Sequence, residues 1–241
     1  MIFWNPYTIY IYNIYHPYIF LLYNILLYNM CKVCKSNCND YKSNCKVCNC
    51  KTYESSECRC KIENDLLAQF ARHSMWTATV INDYLVDAQG PTRDNTKSAI
   101  LSLYKTSRDT SNAIKKYTKI HICHKMVEAI NHHFDAAAAC LGLLNSGNTV
   151  ALTNAINKFI NQTDELATVF SSLNPRVLTW QSQKDMWVEH SNYVLEIATL
   201  VNSKKYTEAN NVTDIYLNQM NDMAIMIADG LAESYCCTGN C

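Results

Sequence analysis

Glycine and proline are both scarce in this chain, with 5 and 4 residues among 241. So few of them exclude a loop-rich β-sandwich and a nucleotide-binding fold built on glycine turns. Charge of one sign is not in excess either, because 21 Lys and Arg balance 21 Asp and Glu. A zero net charge leaves no electrostatic footprint for nucleic acid, so we expect no nucleic-acid partner.

The chain is not uniform in composition. Residues 1–30 contain no Asp, Glu, Lys or Arg. Residues 31–61 hold eight of the 13 cysteines, with seven Lys and Arg against three Asp and Glu. The remaining 180 residues hold 14 Lys and Arg against 18 Asp and Glu. We therefore divide the chain into an uncharged apolar segment (1–30), a Cys-rich segment (31–61), a main body (62–235) and a Cys tail (236–241).

The apolar segment has two interpretations. Ile9 to Tyr28 is long enough for a membrane helix, although Pro17 and several polar residues interrupt it. Alternatively, Ile9-Tyr10-Ile11-Tyr12 is what an alternating A/T repeat encodes, so the segment is an AT-rich spacer and the working protein starts at Met30. A membrane contact is expected only under the first interpretation. We otherwise expect a cytoplasmic or virion-associated protein.

A duplicated motif marks the Cys-rich segment. Cys31-Lys32-Val33-Cys34 recurs as Cys45-Lys46-Val47-Cys48. Two C-x-x-C turns can supply four thiolates to one tetrahedral Zn²⁺, so Cys31, Cys34, Cys45 and Cys48 are predicted to form a first zinc site. The remaining cysteines of the segment are the candidates for a second site: Cys38, Cys50, Cys58 and Cys60.

The Cys-rich segment needs crosslinks of some kind. It has almost no aliphatic side chains, so it cannot fold by burying a core. Disulfides are the alternative to zinc and require an oxidising compartment. The duplicated motif and the lack of a convincing secretion signal favour zinc. The tail Cys236-Cys237…Cys241 is able to join either chemistry.

The main body has the periodicity and the breaks of a helical protein. Six helices are predicted, over residues 63–88, 93–105, 109–145, 149–172, 177–201 and 206–234. Long helices joined by short turns pack as antiparallel neighbours. We therefore predict an all-α, up-and-down bundle of helical hairpins behind the Cys-rich segment.

An internal repeat supports the hairpins. A shift of 57 residues places His133 on His190 and Phe159-Ile160-Asn161-Gln162 on Tyr216-Leu217-Asn218-Gln219. His133 and Asn161 each lie 14 residues from Gly147, so they stand at one height in their hairpin, roughly 21 Å from the turn. Asn161 and Asn218 have polar neighbours, which leaves open whether they face the histidines or solvent.

Three histidines on three predicted helices are the candidate site of the main body. His73, His133 and His190 could bind a metal if they point inward at one level. No Glu precedes any of them by three residues, so a ferritin-like di-iron site is disfavoured. The alternative, favoured because no carboxylate accompanies them, is a set of buried core histidines.

A second group of histidines lies on one predicted helix. The group consists of His121, His124, Glu128 and His132, on one helix face. Such a face could hold zinc, but a solvated polar face is the favoured interpretation.

The main body resembles a known family. His73-Ser74-Met75-Trp76-Thr77 resembles the H-x-x-W-T motif that opens a family of small helical proteins widespread in Bacillus-type spore formers. The similarity extends over roughly residues 66–232. It includes His133, His190, Asn174-Pro175 and Ile227-Ala228-Asp229-Gly230. Ala78 departs from it, since the family usually has Arg there. The resemblance implies the helical fold but no reaction, and the AT-driven composition resembles that of giant DNA viruses of amoebae.

Three functions are consistent with these observations. The leading one is a non-enzymatic module, structural or partner-binding, whose Cys-rich segment holds zinc and recruits a protein partner or a second copy of the chain. The second is a metal-handling protein that uses the thiolates as a store. The third is an enzyme that uses the His-lined bundle interior.

Overall fold

A computed structural model of the chain describes residues 53–86, 92–118 and 122–236. Within these ranges the chain forms seven α-helices and no strand. In chain order they are α1 (Tyr53–Leu85), α2 (Asp94–Lys115), α3 (Cys123–Leu143), α4 (Thr149–Asn161), α5 (Thr163–Ser171), α6 (Trp180–Asn202) and α7 (Tyr206–Cys236). The predicted all-α fold is confirmed. The apolar segment and six cysteines of the Cys-rich segment lie outside the described residues.

The helices form a closed up-and-down ring. Each helix packs against the next one in the chain, with α4 and α5 acting as one broken helix, and α7 returns to pack against α1. An ion pair of 2.6 Å between Arg59 on α1 and Asp229 on α7 marks this closure. Tight turns reverse the chain at Gly147 and Lys204, which both have positive φ. The predicted bundle of antiparallel hairpins is therefore confirmed.

Helix α1 begins ten residues earlier than predicted, at Tyr53. Its first turns carry the end of the Cys-rich segment, so Cys58 and Cys60 lie on a helix. Cys58 packs against the core, and Arg59 pairs with α7. These contacts extend the helix through a stretch that has no apolar periodicity of its own.

The predicted break at residues 105–109 is wrong, because α2 continues to Lys115, and the predicted helix over 109–145 is divided between α2 and α3, which begins at Cys123. The hydroxyl groups of the polar residues at this position form hydrogen bonds within the helix. Thr106 Oγ1 donates to the Leu103 carbonyl at 2.6 Å, and Ser107 Oγ donates to the Tyr104 carbonyl at 2.7 Å. Both residues lie on the buried face that continues through Thr110, Ser111 and Ile114, so packing maintains the helix through this polar stretch.

The predicted single helix at 149–172 is instead divided at Gln162. Thr163 is fully buried, and its hydroxyl donates to the Ile160 carbonyl at 2.6 Å. The next backbone bond, from the Leu166 amide to the Gln162 carbonyl, is stretched to 3.5 Å. A side-chain hydroxyl that binds a backbone carbonyl in this way competes with the amide–carbonyl bonds of the helix and bends it.

The segment around Asn174 ties the α5–α6 connection to α7. Asn174 Nδ2 donates to the Gly230 carbonyl and to Glu233 Oε2, each at 2.9 Å. The Leu178 side chain packs directly on the α7 backbone because Gly230 has no side chain, and a Cβ there would lie 2.5 Å from Leu178 Cγ. None of the helices in the described ranges is both long and apolar enough to cross a membrane.

Candidate functional site: a buried histidine layer

Three histidines meet in the middle of the bundle. His73 comes from α1, His133 from α3 and His190 from α6, which are the three helices that run in one direction. The ring centroid of His190 lies 5.8 Å from that of His73 and 5.7 Å from that of His133. All three histidines therefore point inward at one level, and we call this group the histidine layer.

Each histidine of the layer faces a side chain from the helix that follows it. His73 Nδ1 lies 3.5 Å from Thr106 Oγ1 on α2. The ring of His133 lies 4.5 Å from that of Phe159 on α4, and the ring of His190 lies 5.4 Å from that of Tyr216 on α7. The 57-residue repeat relates the second of these pairs to the third. Each hairpin thus supplies one histidine and one facing group.

Aromatic rings fill the space around the layer. His73 stacks on Phe134, with ring centroids 5.3 Å apart and an interplanar angle of 15°. Trp187 lies edge-on to both other histidines, at 6.0 Å from His133 and 5.4 Å from His190. The layer is therefore surrounded by a medium of low polarity, in which a charged imidazole is poorly solvated.

Burial keeps the histidines uncharged at neutral pH. Burial lowers the pKa of His73 to about 3, and the neighbouring His190 lowers it further. The pKa of His133 falls well below the usual range, again by burial first and then by the two other histidines. Burial also lowers the pKa of His190 to about 4, although the Gln219 side chain opposes this effect. His133 and His190 are buried as whole residues, whereas His73 keeps some exposed area.

Several polar atoms of the histidine layer and of the side chains around it have no hydrogen-bond partner among the described residues. They are Nδ1 of His133, Nδ1 of His190, Trp187 Nε1, the Tyr216 hydroxyl and Gln219 Oε1. Buried polar atoms without partners are rare in folded proteins and point to water, an ion or a special role. A cavity of about 20 Å³ adjoins His73 and His133. That volume holds about one water molecule.

The hydrogen bonds of His73 indicate its tautomer. Thr106 Oγ1 already donates its proton to the Leu103 carbonyl, so it can only accept from His73 Nδ1. Nε2 of His73 is then the acceptor and receives the Thr77 hydroxyl proton, at 3.5 Å. A neutral His73 with its proton on Nδ1 satisfies both contacts.

The geometry of the three histidines meets one requirement of a metal site, their proximity, but not the arrangement of ligands. The structure brings His73, His133 and His190 together. However, across the described ranges no group of three or more His, Cys, Asp or Glu side chains is placed to hold a metal ion. The histidines pack as ring neighbours and do not converge as ligands.

The second histidine group is paired with carboxylates at the surface. His124 Nδ1 lies 3.2 Å from Glu128 on the same helix, and His132 Nδ1 lies 3.0 Å from Glu165 on α5. His121 lies outside the described residues. These contacts are ordinary exposed pairs, as expected of a solvated polar face.

Four cysteines of the described residues fall into two groups, one disulfide-bonded and one free. Cys58 and Cys60 are disulfide-bonded, which is the alternative that the sequence left open. Cys123 and Cys140 are free thiols, and burial raises the pKa of Cys140 to about 11. The other cysteines proposed as zinc ligands lie outside the described residues: Cys31, Cys34, Cys38, Cys45, Cys48 and Cys50.

The sequence identified the histidines but not the groups that face them. Asn161 and Asn218 are exposed, and Phe159 and Tyr216, two residues earlier in each helix, occupy the interior. The repeat had aligned Phe159 with Tyr216, so the signal was present. Gln219, which contacts both His190 and the Met186 carbonyl, had no such signal.

No protein-family model, curated protein or solved structure matches this chain. The class defined by its fold is that of all-α bundles made of three hairpins, with a histidine layer at mid-height. The resemblance to the H-x-x-W-T family stays a prediction.

Proposed function

We propose that this chain is a non-enzymatic helical-bundle protein, structural or partner-binding, whose Cys-rich segment holds zinc. The proposal rests on one observation: side chains fill the interior of the bundle almost completely beside the histidine layer. The cavity beside the histidine layer is about 20 Å³. Pockets for organic ligands are usually about 300–1,000 Å³. Only a ligand of about the size of water fits this cavity, so we place the partner at the outer surface of the bundle or at the Cys-rich segment.

The zinc part of the proposal depends on the duplicated C-x-x-C motif. Because Cys58 and Cys60 are disulfide-bonded, they are not available as thiolates in this state. The proposed ligands are therefore the first set, Cys31, Cys34, Cys45 and Cys48. Four thiolates around one Zn²⁺ would crosslink a segment that has little apolar material to bury. The partner would be another protein or a second copy of the chain.

Elemental analysis of the full chain, purified under reducing conditions, tests the zinc site. We expect about one zinc per chain, as one Cys₄ site implies. A variant with Cys31, Cys34, Cys45 and Cys48 changed to Ser should lose it. A control variant with Cys123→Ser and Cys140→Ser, the two free thiols, should retain it. Protein without metal, or equal zinc in both variants, would overturn this assignment.

Metal handling is a second candidate, favoured by the six closely spaced cysteines from Cys31 to Cys50. Clustered thiolates bind soft metal ions such as zinc and copper(I). Stoichiometry distinguishes the two functions. A structural zinc site gives a fixed ratio that dialysis does not change. A storage protein gives a zinc or copper content that follows the supply.

A further inference from the structure

We propose that the histidine layer is an acid-sensitive latch, which holds the three hairpins together while its imidazoles are uncharged and releases them when it takes up protons. The layer is suited to this role by its position. Its members come from α1, α3 and α6, one from each hairpin, and they contact one another across the centre of the bundle. A change in charge at this point acts on all three hairpins at once.

No described contact of the layer offers a countercharge. The neighbours on the other elements are neutral: Thr106 on α2, Phe134 on α3, Phe159 on α4, Phe170 on α5, Trp187 on α6 and Tyr216 on α7. Tyr216 is the titratable one among them, and burial raises its pKa to about 12, so it stays neutral. A proton on the layer would therefore be a buried charge without a partner, which is strongly destabilising.

A second proton is opposed further by the first. The imidazole centroids lie 5.7 and 5.8 Å apart, so two protonated rings would repel each other in a medium of low polarity. The closed bundle consequently resists protons that an opened one accepts at the ordinary histidine pKa. Acid favours the opened state for this reason alone.

The direction with pH follows from this difference. Above about pH 6.5 neither state binds protons at these histidines, so stability does not depend on them. Below that pH only the opened state takes them up, and stability falls until the pKa values of the folded state are reached. Between pH 7.5 and pH 5.5, three such histidines raise the opening constant about 1,000-fold in total.

Other buried titratable groups do not imitate this behaviour. Burial raises the pKa of Glu63 and of Asp229, so acid favours their folded forms. Carboxylates with ordinary or lowered pKa values titrate mostly below pH 5, outside this range. Between pH 7.5 and pH 5.5 the carboxylates therefore do not add to the acid-induced loss of stability.

Urea unfolding of the full chain, followed by circular dichroism at pH 7.5, 6.5 and 5.5, tests the latch. We expect the opening constant of the native protein to rise about 1,000-fold across the range, and that of a His190→Phe variant to rise about 100-fold, because one group is gone. The matched control is His132→Phe at an exposed site, which should keep the full 1,000-fold change. Equal changes in all three proteins would overturn the proposal.

A second measurement on the unmodified chain covers the case in which His190→Phe does not fold. NMR of ¹⁵N-labelled imidazoles at pH 5.5 reports the charge of all seven histidines. We expect the rings of His73, His133 and His190 to remain neutral at this pH, because burial lowers the pKa of each. Protonation of the three buried rings in a bundle that remains folded would exclude the latch.

Discussion

His190 and Tyr216 face each other across α6 and α7 with their ring centroids 5.4 Å apart. The 57-residue repeat places His133 and Phe159 in the same relation across α3 and α4, at 4.5 Å. The two pairs differ by one hydroxyl group. In the Phe159 pair nothing polar is added to the core. In the Tyr216 pair the added hydroxyl is buried without a hydrogen-bond partner.

We predict that Tyr216→Phe leaves the free energy of unfolding unchanged or raises it by up to about 1 kcal/mol. The variant removes a buried group that has no partner and copies the pair already present at Phe159. Tyr117→Phe is the matched control, because its hydroxyl donates to Asp65 at 2.7 Å. The control should lose about 1 kcal/mol. Denaturant unfolding measures both, and a larger loss for Tyr216→Phe than for Tyr117→Phe would contradict the interpretation.

Gly230→Ala is expected to lower the free energy of unfolding by about 1–3 kcal/mol. The new methyl group would lie 2.5 Å from Leu178 Cγ, so the close approach of the α5–α6 connection to α7 would be lost. Alanine is otherwise the better helix former, so the steric cost must exceed a gain of about 1 kcal/mol.

Gly142→Ala is the control for this steric argument. There the new Cβ would lie 3.3 Å from the Tyr84 hydroxyl, the far end of a flexible side chain. We expect a neutral or stabilising effect of up to about 1 kcal/mol. Leu178→Ala should also cost less in the Gly230→Ala background than in the native protein, because it removes the atoms that the new methyl group meets. Similar results for both glycine variants in thermal unfolding would show that Leu178 is not the cause.

Asn174→Ala is expected to lower the free energy of unfolding by about 1–3 kcal/mol. It removes both bonds of Asn174 Nδ2, to the Gly230 carbonyl and to Glu233. Arg176→Ala removes the other partner of Glu233, but its side chain is 71% exposed. We expect this second change to cost no more than about 1 kcal/mol. Urea midpoints that fall equally in both variants would count against the role of Asn174.

Glu63→Gln is expected to raise the unfolding midpoint at pH 7 and to have less effect at pH 4. Glu63 is 6% exposed, and burial raises the pKa of its carboxyl despite the nearby Arg59. A raised carboxyl pKa means that stability is lost as pH rises through it, so the uncharged Gln is favoured at neutral pH. Thermal unfolding at the two pH values measures the difference.

Asp65→Asn should behave in the opposite way. Burial would raise the pKa of Asp65, but hydrogen bonds from Tyr117 and Lys116 outweigh it and lower the pKa. The charged form therefore stabilises the fold above the ordinary carboxyl pKa, and that stability is lost in acid. We expect the variant to lose about 1 kcal/mol at pH 7 and to match the native protein near pH 3. If both variants shift the midpoint in the same direction, these assignments are wrong.

The sequence predicted those parts of the fold that follow from the periodicity of apolar residues and from the spacing of residues along a helix. The turn at Gly147 and the break at Asn174-Pro175 come from local chemistry, and the common height of the histidines follows from helix rise. The predicted break between residues 105 and 109 is wrong, because α2 continues through Thr106 and Ser107. Only the structure shows their hydroxyls bonded within the helix, to Leu103 and Tyr104.

The candidate site was predicted to the level of its histidines and no further. Which neighbour faces His190 depends on the rotation of α7 about its axis, and a shift of two residues decides between Asn218 and Tyr216. Repeat alignment identifies equivalent positions but does not fix that rotation. Whether three inward histidines act as ligands or as ring neighbours also depends on side-chain angles, which spacing does not determine.

The contact of α7 with α1 leaves the bundle without a unique first helix. Arg59 and Asp229 hold the first and last helices side by side, at the same end of the ring. A covalent link between these helices, combined with a cut at the exposed turn beside Gly147, would give a circular permutant with the same neighbours throughout. In such a chain the first repeat-related hairpin would be divided, with α4 near the start and α3 near the end, although the histidine layer would be built from the same three rings.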